Sequence, residues 1–205
     1  MKICREQIIT IALSLLDREG LEGVTLRKVA AQLHVHAGAL YWHVQNKQEL
    51  LDELANALLS PYFVQWEGRT PEQPWSKWLQ ATCEHLREAM LSHREGARVI
   101  AGAGLGRAVQ LAQLMELIVQ SLMSAGFSLR QAFLTCSTAL SYVYGFVIEE
   151  QAAPTNASIK QARSSEETLI SKIQHEKRIH HYTTEMDFRA GLELILEGAK
   201  QQLQK

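Results

Sequence analysis

The chain has 205 residues, 46% of them hydrophobic, and a formal net charge of −1. That suffices for one or two compact domains with a real core and excludes a strong overall positive field for capturing polyanions. The three cysteines (Cys4, Cys83, Cys136) stand at wide, irregular spacing without a CxxC pair, so neither a zinc site nor a disulfide framework is indicated; buried reduced thiols are the simpler reading.

With four prolines and few β-branched runs, the chain predicts an all-α fold. Residues 3–19 put Ile8, Ile9, Ala12, Leu13, Leu15 and Leu16 at helical spacing and stop at Gly20, where glycine suits the positive φ that often follows a helix. Thr25 can cap a second short helix with Leu26, Val29, Ala30 and Leu33 inside. His34-Val35-His36 makes the turn. A third helix at 37–43 is too short to persist without packing. Asn46-Lys-Gln-Glu49 reads as a capping box ahead of a connecting helix at about 47–64. From Pro61 to Pro74 the composition turns polar and Trp-flanked, marking a change from a small N-terminal unit to a larger one. Further helices are expected at about 75–91, 93–100, 107–125, 128–151, 165–179 and 185–203, two of them opened by capping boxes at Ser128-Leu-Arg-Gln131 and Ser164-Ser-Glu-Glu167. Residues 152–164 read as a mobile loop. No run approaches the roughly 20 apolar residues of a membrane span, and the N-terminus lacks a signal-peptide core. The expectation is a cytoplasmic protein with no membrane partner.

The segment 25–47 carries the functional signal. Residues 1–47 hold six Lys/Arg against four Asp/Glu and three of the eight histidines, a locally basic end on a neutral chain. Two short helices across a tight turn make a helix-turn-helix, which needs a small residue at the crossing (Ala30) and apolar anchors under the reading helix (Val35, Leu40). Ala37, Gly38 and Ala39 allow close approach to bases, and their methyls can meet a thymine methyl. Arg27 can pair with a guanine edge, with His36 as a second base reader; Tyr41, His43 and Lys47 suit phosphates. Thr25, Lys28 and Trp42 complete the candidate DNA-binding set. The small and aromatic residues at 37–42 would equally serve plain packing, so the pattern alone does not decide.

A longer string does. Gly20-Leu-Glu-Gly-Val-Thr-Leu-Arg-Lys-Val-Ala30, Leu40-Tyr-Trp-His-Val44 and Asn46-Lys-Gln-Glu-Leu-Leu51 strongly resemble the DNA-binding domain of the tetracycline-repressor (TetR) family. The resemblance continues through Leu91-Ser-His-Arg-Glu-Gly-Ala-Arg-Val99, like the segment leading into the inducer pocket of the tetracycline-binding branch. Ala125-Gly-Phe-Ser-Leu129 and Tyr144-Gly-Phe-Val-Ile-Glu-Glu-Gln151 resemble its later helix junction and dimer-helix end. It implies a helix-turn-helix DNA-binding domain at 1–47, the connecting helix, and a ligand-binding and dimerisation domain at 65–205. It also implies a ligand-responsive regulator, most simply a repressor. Such a protein binds a near-palindromic double-stranded operator as a homodimer through the helices at 128–151 and 185–203.

The pocket departs from that branch. Tetracycline sensors hold a magnesium–drug chelate, yet Ile100 stands for one drug-site histidine, Phe63 for another, Thr82 and Leu86 for the anchoring Asn and Phe, and Ala103-Gly104-Leu105 for a Thr-Arg-Pro turn. Magnesium needs oxygen ligands, which these do not supply; only Glu149 keeps an acidic match. No metal and no cofactor are expected, and the effector suited to such a pocket is small and apolar or aromatic. The candidate wall is Phe63, Trp78, Thr82, Leu86, Ile100, Leu105, Met115, Ile118, Phe133, Cys136, Ser137, Ser141 and Glu149, each of which could also be ordinary core. Of the reading-helix positions, Ala37-Gly38-Ala39 replace Gln-Pro-Thr, which implies a different operator sequence.

Three patterns are decoys. His175-Glu-Lys-Arg-Ile-His180 nearly spells the zinc-protease motif, but i and i+5 point about 140° apart on a helix. Ser137 and Ser141 lack a nucleophile elbow, and Gly102-Ala-Gly-Leu-Gly106 has no preceding strand. The chain is therefore not expected to be an enzyme. The rival reading is a helical small-molecule carrier or enzyme that kept the bundle and lost DNA binding.

Overall fold

The computed structural model describes residues 3–153 and 169–203, and those residues are helical throughout with connecting turns. In chain order the helices are α1 (Arg5–Glu19), a 3₁₀ turn (Leu21–Gly23), α2 (Leu26–Gln32), a 3₁₀ helix (Ala37–Trp42), α3 (Lys47–Phe63), α4 (Trp75–Leu91), α5 (Gly96–Ala101), α6 (Val109–Ser124), α7 (Leu129–Ala152), α8 (Leu169–Ile179) and α9 (Thr184–Leu203). The loop expected over 152–164 lies, from residue 154 on, outside the described residues, as does the capping box at 164–167.

Local chemistry sets the element ends. α1 buries Ile8, Ala12, Leu15 and Leu16 on one stripe and stops at Gly20, whose φ of 75° and extended ψ are open to glycine alone; a Cβ there would also collide with the Glu95 carboxylate. Thr25 Oγ1 accepts the Lys28 amide and starts α2. The third helix is 3₁₀, closed by the His43 amide on the Leu40 carbonyl at 2.8 Å; so short a piece, held by buried Leu40, tightens readily. Asn46 Oδ1 accepts the Glu49 amide at 2.8 Å, but Glu49 reaches back to the amide of Gln45 instead of Asn46. Ser128 and Gln131 form the reciprocal box that opens α7. The helix expected from 93 begins only at Gly96, because Glu95 adopts a left-handed φ of 54°.

One continuous core runs from Ile8 in α1 to Ala199 in α9. α1, α2 and the 3₁₀ helix close on Leu40 and Val44 to make a small head, and α3 leads from it into the larger body. There α3 packs on α4, α5 and α6, while α7 packs on α4, α5, α6 and α9. α7 is long and apolar enough to cross a membrane by length and composition, which the sequence reading did not expect. Its stripe Ala132, Thr135, Cys136, Ala139, Leu140, Val143 and Val147 is buried against the rest of the protein, as in a core helix.

Candidate nucleic-acid interface and effector pocket

On the head, Arg27, Lys28, His36, Gly38, Tyr41, Trp42 and Lys47 are exposed, and Thr25, Ala37, Ala39 and His43 are half-buried beside them. Trp42 is 91% and Tyr41 55% exposed, unusual for large aromatic rings. Gly38 faces open space, so nothing in the chain obstructs close approach there. Lys47 stands in the first turn of α3, where free amides and the helix dipole favour an anion. Two members of the set are engaged inside the chain: the Thr25 hydroxyl oxygen as a helix cap and the Lys28 ammonium with Glu19 at 2.5 Å.

The candidate pocket residues divide. Trp78, Thr82 and Leu86 of α4, Ile100 of α5, Ile118 of α6 and Cys136 of α7 are all buried, as is Phe63 at the end of α3. Met115 and Ser137 are half-buried. Leu105, Phe133, Ser141 and Glu149 are exposed and line no interior of this chain. The reason on α7 is a choice of stripe: Phe133, Ser141 and Glu149 share the outer four-residue row with Gly145, whereas 132, 136, 139, 143 and 147 point inward. Leu105 sits in the solvent-facing turn between α5 and α6. His175 within α8 and His180 just beyond it are exposed, and His180 stacks on Tyr182. Burial pushes the Cys136 thiol up to about 12 and raises the Cys83 thiol and the Tyr144 phenol further, so all three stay protonated within the body.

Sequence reasoning missed the polar seam that ties head to body on both flanks of α5. Before α5, Asp17 of α1 accepts from the Arg94 amide at 3.1 Å and contacts His93 Nδ1 at 2.9 Å, and Arg94 donates to the Arg18 carbonyl. Glu95 Oε2 accepts the Leu21 amide at 2.6 Å; that bond, reinforced by Arg98, holds its carboxyl below the usual carboxylate range. After α5, buried Asp52 of α3 accepts from the Gly104 amide at 2.8 Å and from Gln48 Nε2, which also donates to the Gly102 carbonyl. One turn on, Asn56 donates to the Arg107 carbonyl and accepts the Gln110 amide. Buried Glu49 pairs with Arg107 and, at 3.5 Å, with Arg5. From the other side, Gln151 of α7 accepts the Ala97 amide and donates to the Met90 and His93 carbonyls. α5 is packed too closely for a side chain at its start, where a Cβ on Gly96 would overlap the Met90 carbonyl. The signal in the sequence was two acids and an amide at 49, 52 and 56 on a helix with an otherwise apolar inner face.

Residues 8–54 match the family model described as bacterial regulatory proteins, tetR family, and residues 67–203 match the tetracyclin repressor-like C-terminal domain. The chain belongs to the TetR family. It is 33% identical over 202 residues to the tetracycline repressor protein class E of Escherichia coli, covering 98% of this chain and 93% of that protein. Among solved structures it resembles a TetR variant from Acinetobacter baumannii AYE in complex with minocycline, with a TM-score of 0.79, 31% identity and coverage of 100% and 96%. It also resembles BioQ with its double-stranded DNA operator, with a TM-score of 0.71, 28% identity and coverage of 96% and 98%. The protein is thus a TetR-family transcriptional regulator with a helix-turn-helix DNA-binding domain and a helical ligand-binding domain. The family is one of regulators, not enzymes.

Proposed function

We propose that this regulator is a cytoplasmic repressor that binds a near-palindromic operator as a homodimer and is released by a small apolar or aromatic effector. The observation that carries the reading is the seam: α5 supplies Ile100 to the body's interior, while the residues before it are hydrogen-bonded to the head and those after it to α3, the helix that leads from the head. A ligand that moves α5 therefore moves α1 and α3 with it. An effector that favours the displaced arrangement by about 1–3 kcal/mol weakens the operator complex roughly 5- to 150-fold.

The dimer rests on the outer faces of α7 and α9, where Leu129 (63% exposed), Phe133, Leu134 and Leu194 (78% exposed) leave apolar surface uncovered in the single chain. Pairing two such helix pairs about a twofold axis makes a four-helix interface. It sets the two reading helices in successive major grooves, about 34–36 Å apart.

The residues facing the interior do not suit a magnesium–tetracycline chelate. Ile100 and Leu86 are fully buried aliphatics, and the described residues hold no group of three His, Cys, Asp or Glu placed for a metal. An apolar or aromatic effector fits them better.

The test is footprinting of upstream DNA with the full-length protein, followed by a thermal-shift screen of apolar and aromatic compounds read against DNA release. A protected near-palindrome released by such a compound is expected. A monomer in solution, or no protected site at low salt, would overturn the reading in favour of a carrier that has lost its DNA.

A further inference from the structure

Trp66 lies three residues beyond the end of α3, half-buried, on the non-helical stretch that leads to α4. Its indole stacks on the His85 imidazole with ring centres 4.4 Å apart and planes 25° from parallel. Phe63 meets both rings edge-on, and Tyr62 meets His85 edge-on. The indole Nε1–H donates to Thr82 Oγ1 at 3.1 Å, and Thr82 gives its own proton to the Trp78 carbonyl at 2.9 Å. A hydroxyl that has spent its single proton can only accept. The seat therefore has a flat aromatic floor, edge-on walls and one buried acceptor. Its occupant has to be planar and has to carry an N–H or O–H.

Beside the indole, a cavity of about 260 Å³ lies between Phe63, Val64 and Trp66 on one side and Gln110, Gln113, Leu114 and Leu117 of α6 on the other. It has room for a bicyclic ring. This space borders the first turns of α6, where the Gln110 amide is tethered to Asn56 of α3.

We propose that the effector is a planar fused-ring aromatic with an N–H or O–H donor, and that it binds by taking the place of the Trp66 indole on His85 and Thr82. This rests on the reading of the chain as an effector-controlled regulator and names the effector's class. The occupied seat displaces Trp66 toward α6, and the Asn56 tether passes that displacement to the helix that carries the head. A ring of the same shape without a donor leaves Thr82 Oγ1 unpaired, and sites built around a hydrogen bond discriminate against such analogues.

The probe is indole, with 1-methylindole as its donor-free counterpart, on full-length protein labelled with 5-fluorotryptophan. The fluorine resonances of the four tryptophans are assigned by single Trp→Phe substitutions. Indole is expected to move the Trp66 resonance while that of Trp78 holds, and to bind about tenfold or more tightly than 1-methylindole. In Trp66→Ala, checked for helicity by circular dichroism, the competing side chain is gone, so indole binds more tightly and raises Tm. In Thr82→Val the preference for indole over 1-methylindole disappears. Indole bound with Trp66 unmoved, equal affinity for the two probes, or no indole binding to folded Trp66→Ala would each overturn the proposal. DNA binding is followed in parallel. Release by a compound that leaves Trp66 seated defeats this proposal and spares the regulator reading, whereas displacement of Trp66 in a protein that protects no DNA defeats the regulator reading alone.

Discussion

The outer face of the head and the seam around α5 hold their polar and aromatic groups on opposite terms. On the face, Trp42 is 91% exposed and Gly38 looks into open space; Arg27, His36 and Lys47 are exposed as well. At the seam, Asp52 is 3% and Glu49 7% exposed, and each is held by more than one partner. A group kept ready for another molecule stays uncommitted in the free chain, because commitment at home would weaken binding abroad. A group that couples two bodies must be satisfied at home, because a buried polar atom without a partner is costly. In the function proposed above, affinity for DNA belongs to the first region and response to effector to the second.

Substitutions can break or sharpen that division. The largest effect on stability is expected from Asp52→Ala, which strips the Gly104 amide and Gln48 of their acceptor; urea unfolding should show a loss of about 1–3 kcal/mol, with effector-driven DNA release blunted. Unchanged release in that variant would show that the seam does not transmit. Arg27→Ala should cost about 1–3 kcal/mol on the preferred operator and relax selectivity there, with the unfolding midpoint unmoved. An equal loss on random DNA would remove Arg27 from base reading. Lys47→Ala should weaken all DNA alike and flatten the salt dependence by about one unit of slope, measured by titration at several salt concentrations.

The smallest effect concerns acid. Because the Leu21 amide and Arg98 depress the Glu95 carboxyl, its contribution is fully present above its unfolded value, near 4.3, and fades as pH falls through the lower folded value. Thermal melts of wild type and Glu95→Gln should therefore differ by a constant amount from pH 7 down to about pH 5 and converge below pH 4. A difference that persists unchanged into strong acid would assign the clamp to something other than the carboxylate.

What could be read in the sequence was what local spacing determines. Thr25, Asn46 and Ser128 cap helices from within three residues of the amides they accept, and each was legible as a cap. The stop at Gly20 followed from backbone freedom alone. The seam was not legible, since Asp52 and Gly104 are 52 positions apart and Glu95 and Leu21 are 74 apart. Even Glu49, read as closing a capping box on Asn46, accepts the Gln45 amide instead, because its burial between Arg5 and Arg107 has no local signature. The outward placement of Phe133, Ser141 and Glu149 in the single chain has a different cause. α7 carries apolar residues on both sides, Leu129, Phe133 and Leu134 outward and Val143 and Val147 inward, so its periodicity does not say which stripe faces the body. Trp66 went unnoticed because it lies in a polar, proline-bounded stretch whose only visible feature was composition.

α5 has six residues, fewer than a peptide helix needs to hold itself together in water. It exists because it is lashed at each end, and cutting either lashing should not bend it by degrees but unwind it outright. Its amides would then serve as a fuse to be watched by hydrogen exchange: protection along residues 99–102 should vanish in one step when the tethers at either side are severed, long before the surrounding bundle opens.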